Sequence, residues 1–310
     1  MTAPVQVSLV CAWYNRADYI RDTLDSLLAQ EFDDFEIILV NDGSPDPRVR
    51  DILDSYSDPR LRVIHQANTG FTLAIRRAIE ASTAPFLAIQ GAGDISLPQR
   101  LRRQYEALRA DPALALAGCR YRIENMVTGQ GAQVVPHCPQ QGDLRFRGLS
   151  HGELMYRREV YDKVGGYRPI FMVGQGADLW MRLLRTHGAV IVPEELYVQR
   201  HFSDGVALAP DKLAARKIMN GVRVENELWF RRTGLDHIET YGPAAFSILG
   251  RRGFARRELV QVRIGQHRGA PGRAMARADP GPEIEALLRG LWPALRLRLS
   301  RLIRGRGPQA

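Results

Sequence analysis

Two acidic residues follow apolar runs at points where the chain must turn. Asp42 lies in Asn41-Asp42-Gly43-Ser44-Pro45 after the run 35–40, and Asp94 closes Gly91-Ala92-Gly93-Asp94 after the run 85–90. A carboxylate at position 42 can accept hydrogen bonds from the imide N–H of a uracil or the amino group of a guanine, or it can do no more than stabilise an Asp-Gly turn. Tyr14, with Ala12 and the neighbouring backbone, ends a third apolar run and can stack on a base or simply pack. Gly91 and Gly93 allow a phosphate or a sugar to approach the backbone closely. Asp94 stands too early to be an ideal cap for the helix that begins near Pro98. Further along, His151-Gly152-Glu153 and Asp178 supply more titratable groups. Structural roles are open to each of them: a hydrogen bond for His151, a solvent-facing strand position for Glu153 and a helix N-cap for Asp178.

The elements that must position these residues alternate. Residues 7–10, extended by Cys11-Ala12, read as a buried strand, and Ile20, Leu24, Leu27 and Leu28 then share one helical face. Further strands are expected at 35–40, 61–65, 85–90 and 114–122, and helices at 50–56, 70–81, 98–110 and 178–187. Residues 127–148 are polar and irregular, and 154–166 alternate apolar and basic before Gly165-Gly166. Strands alternating with helices imply right-handed βαβ units in a parallel, doubly wound sheet. Ligands bind such sheets beyond the carboxyl ends of the strands. Three of those ends are Tyr14-Asn15, Asn41-Asp42 and 91–94, and two of them bring an acid to the crevice mouth. The pattern predicts a nucleotide or sugar site rather than an interaction-only surface.

Composition bounds the reading. The 310 residues are 45% hydrophobic and 25% charged, which excludes a disordered, collagenous or disulfide-scaffold chain as a whole. Three widely spaced cysteines, Cys11, Cys119 and Cys138, form neither a disulfide framework nor a zinc pattern, and they favour a reducing, cytoplasmic location. Met1-Thr2-Ala3-Pro4 does not open a secretory signal, and no apolar stretch is long enough to span a membrane.

Taken together, the motifs resemble family-2 glycosyltransferases with the A-type nucleotide-sugar fold. They are Val7-Ser8-Leu9-Val10-Cys11-Ala12-Trp13-Tyr14-Asn15-Arg16, the segments 24–30 and 35–44, Asn68-Thr69-Gly70 with Ala74, His151-Gly152-Glu153-Leu154-Met155-Tyr156-Arg157-Arg158, Gly165-Gly166-Tyr167 and 178–183. The resemblance covers residues 5–205. It implies a single Rossmann-like α/β domain with a mainly parallel mixed sheet over 1–210, with a nucleotide-binding half (1–112) and an acceptor half (113–210). It also implies an inverting enzyme of the hexosyltransferase class. Such an enzyme moves a sugar from a nucleoside diphosphate donor, UDP-linked in the first instance, to a hydroxyl of a glycan or lipid-linked glycan. Carried over residue by residue, Ala12, Tyr14, Asp42, Asn68, Gly70 and Asp94 fall to the nucleotide. Gly91, Gly93, His151, Gly152 and Trp180 fall to the sugar or acceptor, with buried packing the competing role for Trp180.

Two departures stand out. The family usually carries Asp-x-Asp-Asp at the end of the fourth strand, and its first two acids hold a divalent cation, Mn²⁺ or Mg²⁺, that bridges the diphosphate and stabilises its developing charge. Here Gly91 and Gly93 replace them and Asp94 alone remains. Either Asp94 holds a metal with help from His201, or arginines take the place of the cation, or the chain binds a nucleotide-sugar without catalysis, as a scaffold. An inverting reaction also needs a carboxylate to take the acceptor proton. The usual Glu-Asp pair is Gln175 and Gly176, so Asp178 and Glu153 become the candidate bases.

The remaining third differs in charge. Residues 211–310 hold 20 Lys+Arg against 9 Asp+Glu, whereas residues 1–210 hold 23 against 25. A helical extension is expected at 211–264 and a flexible linker, rich in Gly, Ala, Pro and Arg, at 265–282. In the basic helix at 283–310, Leu295, Leu299, Leu302 and Ile303 oppose Arg296, Arg298, Arg301 and Arg304. Such a helix suits peripheral attachment of residues 283–306 to the anionic inner face of a membrane. It carries no aromatic-basic stacking pattern, so nucleic acid is not an expected partner.

Overall fold

The computed structural model describes residues 4–171, 173–203, 210–245 and 249. The chain divides into two compact units between residues 209 and 210. In the first unit the order is β1 (Val7–Trp13), α1 (Ile20–Leu28), β2 (Phe35–Asp42), α2 (Pro47–Asp54), β3 (Leu61–Gln66), α3 (Phe71–Glu80), β4 (Phe86–Gln90), β5 (Ile95–Ser96) and α4 (Arg100–Ala110). There follow β6 (Leu114–Asn125), β7 (Gly131–Val134), β8 (Met155–Arg157), α5 (Arg158–Lys163), α6 (Gln175–Leu183) and β9 (Gly188–His201).

The sheet order is β3-β2-β1-β4-β8-β6-β9-β5, with β7 on the edge of β6. Strands β3, β2, β1 and β4 run parallel, and β8 is antiparallel between β4 and β6. Every residue of β1 is buried because helices cover both faces. Its alternation sorts the core. Val7, Leu9, Cys11 and Trp13 pack against α1, α2 and α4, while Val10 and Ala12 pack on the side of α3, α5 and α6. The chain leaves β1 for β2 on one side and returns through α3 to β4 on the other. That reversal opens a crevice at the carboxyl edge of β2, β1 and β4.

Several elements differ from expectation for local reasons. Helix α2 begins at Pro47 rather than 50, because the Asp46 carboxylate caps it by accepting from Arg48 N at 3.0 Å. Helix α6 begins at Gln175, so Asp178 is a turn inside the helix and is not its cap. Strand β2 runs through Asp42, which ends the strand rather than occupying the following turn. The stretch 127–148 contains the edge strand β7, and β5 and β9 were not legible at all. All three cysteines are free.

In the second unit, α7 spans Pro210–Thr233 and α8 spans His237–Tyr241. Asp236 caps α8 by accepting from Glu239 N at 3.0 Å, and it also accepts from Asn226 Nδ2 at 2.9 Å. The extension beyond residue 249, the linker at 265–282 and the amphipathic helix at 283–310 lie outside the described residues. Among the described residues no helix is long and apolar enough to cross a membrane.

Candidate active site

Asp42 and Asp94 share the same edge of the sheet. Asn41 pairs with Trp13 across β2 and β1, and Cys11 pairs with Gln90 across β1 and β4. Two strand spacings, about 10 Å, therefore separate the two ends. Both carboxylates are engaged by protein donors, however. Asp42 Oδ1 accepts from Gln66 Nε2, Thr69 N and Thr69 Oγ1 at 2.8, 2.8 and 3.0 Å, and Oδ2 accepts from Gly70 N at 2.8 Å. Asn68 closes the loop by donating to the Asp42 carbonyl at 2.9 Å. The loop packs so tightly that a Cβ at Gly43, where φ is +67°, would lie 2.4 Å from Asn68 N. The first duty of Asp42 is thus to shape residues 67–70 into the wall of the crevice. Tyr14 is 47% exposed just past the end of β1, whereas Ala12 is buried in the α3-side core.

Asp94 is only 8% exposed. The antiparallel pairing of β5 with β9 brings it to residues a hundred positions later. Its Oδ2 accepts from Tyr197 Oη at 2.6 Å and its Oδ1 from Arg200 N at 2.8 Å. Burial raises its pKa to about 6, although the Tyr197 and Arg200 hydrogen bonds pull the other way. Tyr197 Oη also accepts from Gly91 N at 3.0 Å.

The glycines that replace the expected acids make room for these groups rather than for a ligand. A Cβ at Gly91 would meet Asp94 Oδ2 at 2.1 Å, and one at Gly93 would meet the Phe202 ring at 2.7 Å. A Cβ at Gly152 would lie 2.0 Å from Tyr197 Oη.

Among the described residues no set of side chains is arranged to hold a divalent cation. Among the described residues no three His, Cys, Asp or Glu side chains cluster as ligands. Both Asp94 oxygens are taken, by Tyr197 Oη and by Arg200 N, and among the described residues His201 makes no hydrogen bond or ion pair with Asp94. The pair Asp94 and His201 is therefore not assembled.

An arginine occupies this edge instead. Asn15 and Arg16 are consecutive non-glycine residues in the left-handed region, at φ +57° and +58°. Each such conformation costs on the order of 1–3 kcal/mol and persists only where its surroundings enforce it. Here the Trp13 indole N–H donates to Asn15 O, and Asn15 N donates to Ser44 Oγ at 2.9 Å. The result carries the Arg16 guanidinium across to the end of β4, where it donates to Ala92 O at 2.9 Å and stacks on Phe202 at 4.2 Å.

Neither expected base is placed as one. Asp178 accepts from Arg182 Nη2 at 2.6 Å and Nε at 3.1 Å, with half-buried Arg168 at 3.4 Å, and is itself buried with Arg182. Glu153 is fully buried rather than solvent-facing. Its Oε1 accepts from Ser150 N at 3.0 Å, and its Oε2 has no hydrogen-bond partner. Trp180 is buried too and donates its indole N–H to Tyr156 Oη at 2.9 Å, so it is not an exposed platform.

Burial raises the Glu153 pKa from 4.5 to about 8. Between those values the folded chain holds a proton that the unfolded chain has released, so this group lowers stability as pH rises through the window, on the order of 1.4 kcal/mol per unit. Glu153→Gln removes that titration. Its melting temperature is expected to gain on wild type between pH 5 and pH 8. A constant difference across that range would show that Glu153 is ionised in the folded chain.

A doubly wound sheet with this crevice, continued through antiparallel β8 to the parallel pair β6 and β9, is the A-type nucleotide-sugar transferase fold. Residues 8–165, more than half of the chain, match the profile of Glycosyl transferase family 2. The chain belongs to that family and is a glycosyltransferase. It is 38% identical over 120 residues to the uncharacterized glycosyltransferase EpsJ of Bacillus subtilis, covering 37% of this chain and 33% of EpsJ. It is 27% identical over 182 residues to the O-antigen biosynthesis glycosyltransferase WbnJ of Escherichia coli, covering 57% and 71%. This chain thus spans about a third of EpsJ.

Two solved structures share the fold. TarS 1–349 of S. aureus in complex with UDP-GlcNAc has a TM-score of 0.59 at 14% identity, covering 83% of this chain and 81% of that one. The mannosyltransferase PcManGT of Pyrobaculum calidifontis in complex with GDP-Man and Mn²⁺ has a TM-score of 0.55 at 19% identity, covering 96% and 81%.

Arg16 lies inside a motif legible in the sequence, but its reach to Ala92 was not. Tyr197, Arg200 and Phe202 carry no local signal, since their roles arise only from the pairing of β9 with β5 and β6.

Proposed function

We propose that this chain is an inverting transferase that takes a sugar from a UDP-linked donor and places it on a hydroxyl of a glycan or lipid-linked glycan at the inner face of the membrane. The observation that carries the reading is the crevice edge itself, with exposed Tyr14 past the end of β1, the Asp42-shaped loop 67–70 past β2 and Arg16 bonded to Ala92 O past β4. The base stacks on Tyr14. Its imide N–H replaces the Gln66 amide at Asp42 Oδ1, the one contact there made by another side-chain amide. The diphosphate lies toward Arg16, whose five-donor guanidinium offers fixed positive charge where the leaving group gathers negative charge. The acceptor class is supported by WbnJ, and the membrane location by the basic amphipathic pattern of 283–306.

A second reading, a nucleotide-sugar-binding scaffold, is favoured by the Phe202 ring over Gly93 and by the Tyr197–Asp94 pair over Gly91. Release of nucleoside diphosphate from a panel of UDP- and GDP-sugars, with and without EDTA, separates the two. Turnover is expected to survive EDTA, and Arg16→Ala is expected to lower kcat/KM on the order of 10²–10³-fold. No turnover of any donor would leave the scaffold standing, and loss of turnover in EDTA would remove the arginine from its role.

A further inference from the structure

His151 precedes Gly152 in the segment that enters β8 beside the carboxyl end of β4. A Cβ on Gly152 would lie 3.2 Å from Gly91 N, which places this segment directly against the crevice edge. The ring lies edge-on to Phe71 at the start of α3, with centroids 5.2 Å apart. Gly176 in α6 makes room for it, since a Cβ there would come within 2.8 Å of His151 Cδ2.

A chain of indole and hydroxyl contacts ends on His151 Nε2. The Trp180 indole can only donate, and it donates to Tyr156 Oη at 2.9 Å. Tyr167 also donates its hydroxyl proton to Tyr156 Oη, at 3.4 Å. Tyr167 Oη in turn lies 2.6 Å from His151 Nε2. A base at this position needs the ring proton on Nε2, donated to Tyr167 Oη, so that Nδ1 holds the lone pair.

We propose that His151 Nδ1 is the base that takes the proton of the attacking hydroxyl. This rests on the transferase reading above. As the acceptor oxygen bonds to the anomeric carbon, the bond from that carbon to the diphosphate oxygen breaks. Its electron pair leaves with the nucleoside diphosphate, and the hydroxyl proton passes to Nδ1. The imidazolium keeps its Nε2–H on Tyr167 and returns the Nδ1 proton to water before the next turnover.

The nearby carboxylates are committed elsewhere: Asp94 to Tyr197 and Arg200, Asp178 to Arg182, and Glu153 to the interior. Burial lowers the His151 pKa to about 4. That is the range of an ordinary carboxylate, so this imidazole matches an aspartate in proton affinity. The groups facing it are Tyr167 and, beyond it, Tyr156, with uncharged Phe71 from α3 and Trp180 from α6, and Glu153 two residues along its own segment.

Two measurements on the full chain test this. In ¹⁵N-histidine NMR spectra, with His151 assigned by its loss in His151→Gln, the expected signature is a bare Nδ1 and a protonated Nε2, neutral down to pH 5. A protonated Nδ1 overturns the proposal whatever the activity. In the second, UDP-GlcNAc and GDP-mannose hydrolysis is followed for wild type, His151→Ala and His151→Gln, with donor affinity from calorimetry. Glutamine can still donate to Tyr167 but has no basic lone pair, so it separates chemistry from folding. Both variants are expected to lose about 10²-fold or more in kcat with donor affinity unchanged. Added imidazole is expected to restore part of the His151→Ala rate. Wild-type turnover with variants keeping a third or more of it overturns the base alone, whereas a wild type that turns over neither donor overturns the transferase reading beneath it.

Discussion

Replacing Asp178 with asparagine is expected to unfold the first unit at a lower temperature rather than to silence a catalytic step. Asp178 is the counter-charge of Arg182, which is buried and donates its other N–H groups to Val164 O at 2.6 Å and Gly166 O at 2.8 Å. Burial pulls the Arg182 pKa down, and the Asp178 carboxylate opposes that shift. Asparagine leaves the guanidinium buried with no carboxylate, a change that costs about 3–5 kcal/mol in comparable sites. At roughly 2–4 °C per kcal/mol for a unit of this size, the melting temperature should fall by about 6 °C or more. Differential scanning calorimetry beside donor turnover checks this. If the melting temperature holds while kcat drops a hundredfold, Asp178 is a base after all.

A larger loss is expected at Arg100, whose side chain is fully buried without a hydrogen-bonded carboxylate. Its guanidinium donates to Ile89 O, Gly152 O, Ser96 Oγ and Gln90 Oε1 at 2.6, 2.7, 2.7 and 3.0 Å, and it lies 4.8 Å from the Tyr197 ring centroid. It ties β4, β5 and the 150–154 segment together, and so holds Gly152 against Gly91 and His151 at the crevice edge. Arg100→Met takes the guanidinium from Ile89 O, Gly152 O and Ser96 Oγ, while Gln90 Oε1 keeps Ser96 Oγ as a donor at 2.8 Å; at about 1–3 kcal/mol for each buried hydrogen bond lost, urea denaturation should show a loss of several kcal/mol. Lysine cannot reproduce a planar fork with five donors. Arg100→Lys should therefore lose nearly as much, and a lysine variant as stable as wild type would mean that water or rearrangement satisfies those acceptors.

These two residues also mark where reading along the chain falls short. The apolar runs of β1, β2 and β4 are long, and their helices alternate with them, so the βαβ units and the crevice edge were legible. Asp42 and Asp94 fell on that edge as expected. Their hydrogen-bond state did not follow, because Asp42 answers to Gln66, Thr69 and Gly70, and Asp94 to Tyr197 and Arg200. Glu153 read as solvent-facing because alternation reports which face a residue occupies, and here that face is buried beneath α4 and β6, with Gln104 Nε2 donating to its backbone carbonyl at 2.6 Å.

Sequence order settles what neighbours along the chain can decide: strand, helix, turn, and the parallel crossovers that place two acids at one rim. Which side chain meets a proton, a phosphate or another side chain depends on partners far apart in sequence. Gly176 and His151, 25 positions apart, exclude one another's bulk, and Tyr197 reaches Asp94 across 103 positions. Hydrogen bonds and excluded volume act over a few ångströms of space whatever the separation along the backbone, so these pairings exist only once the sheet has closed.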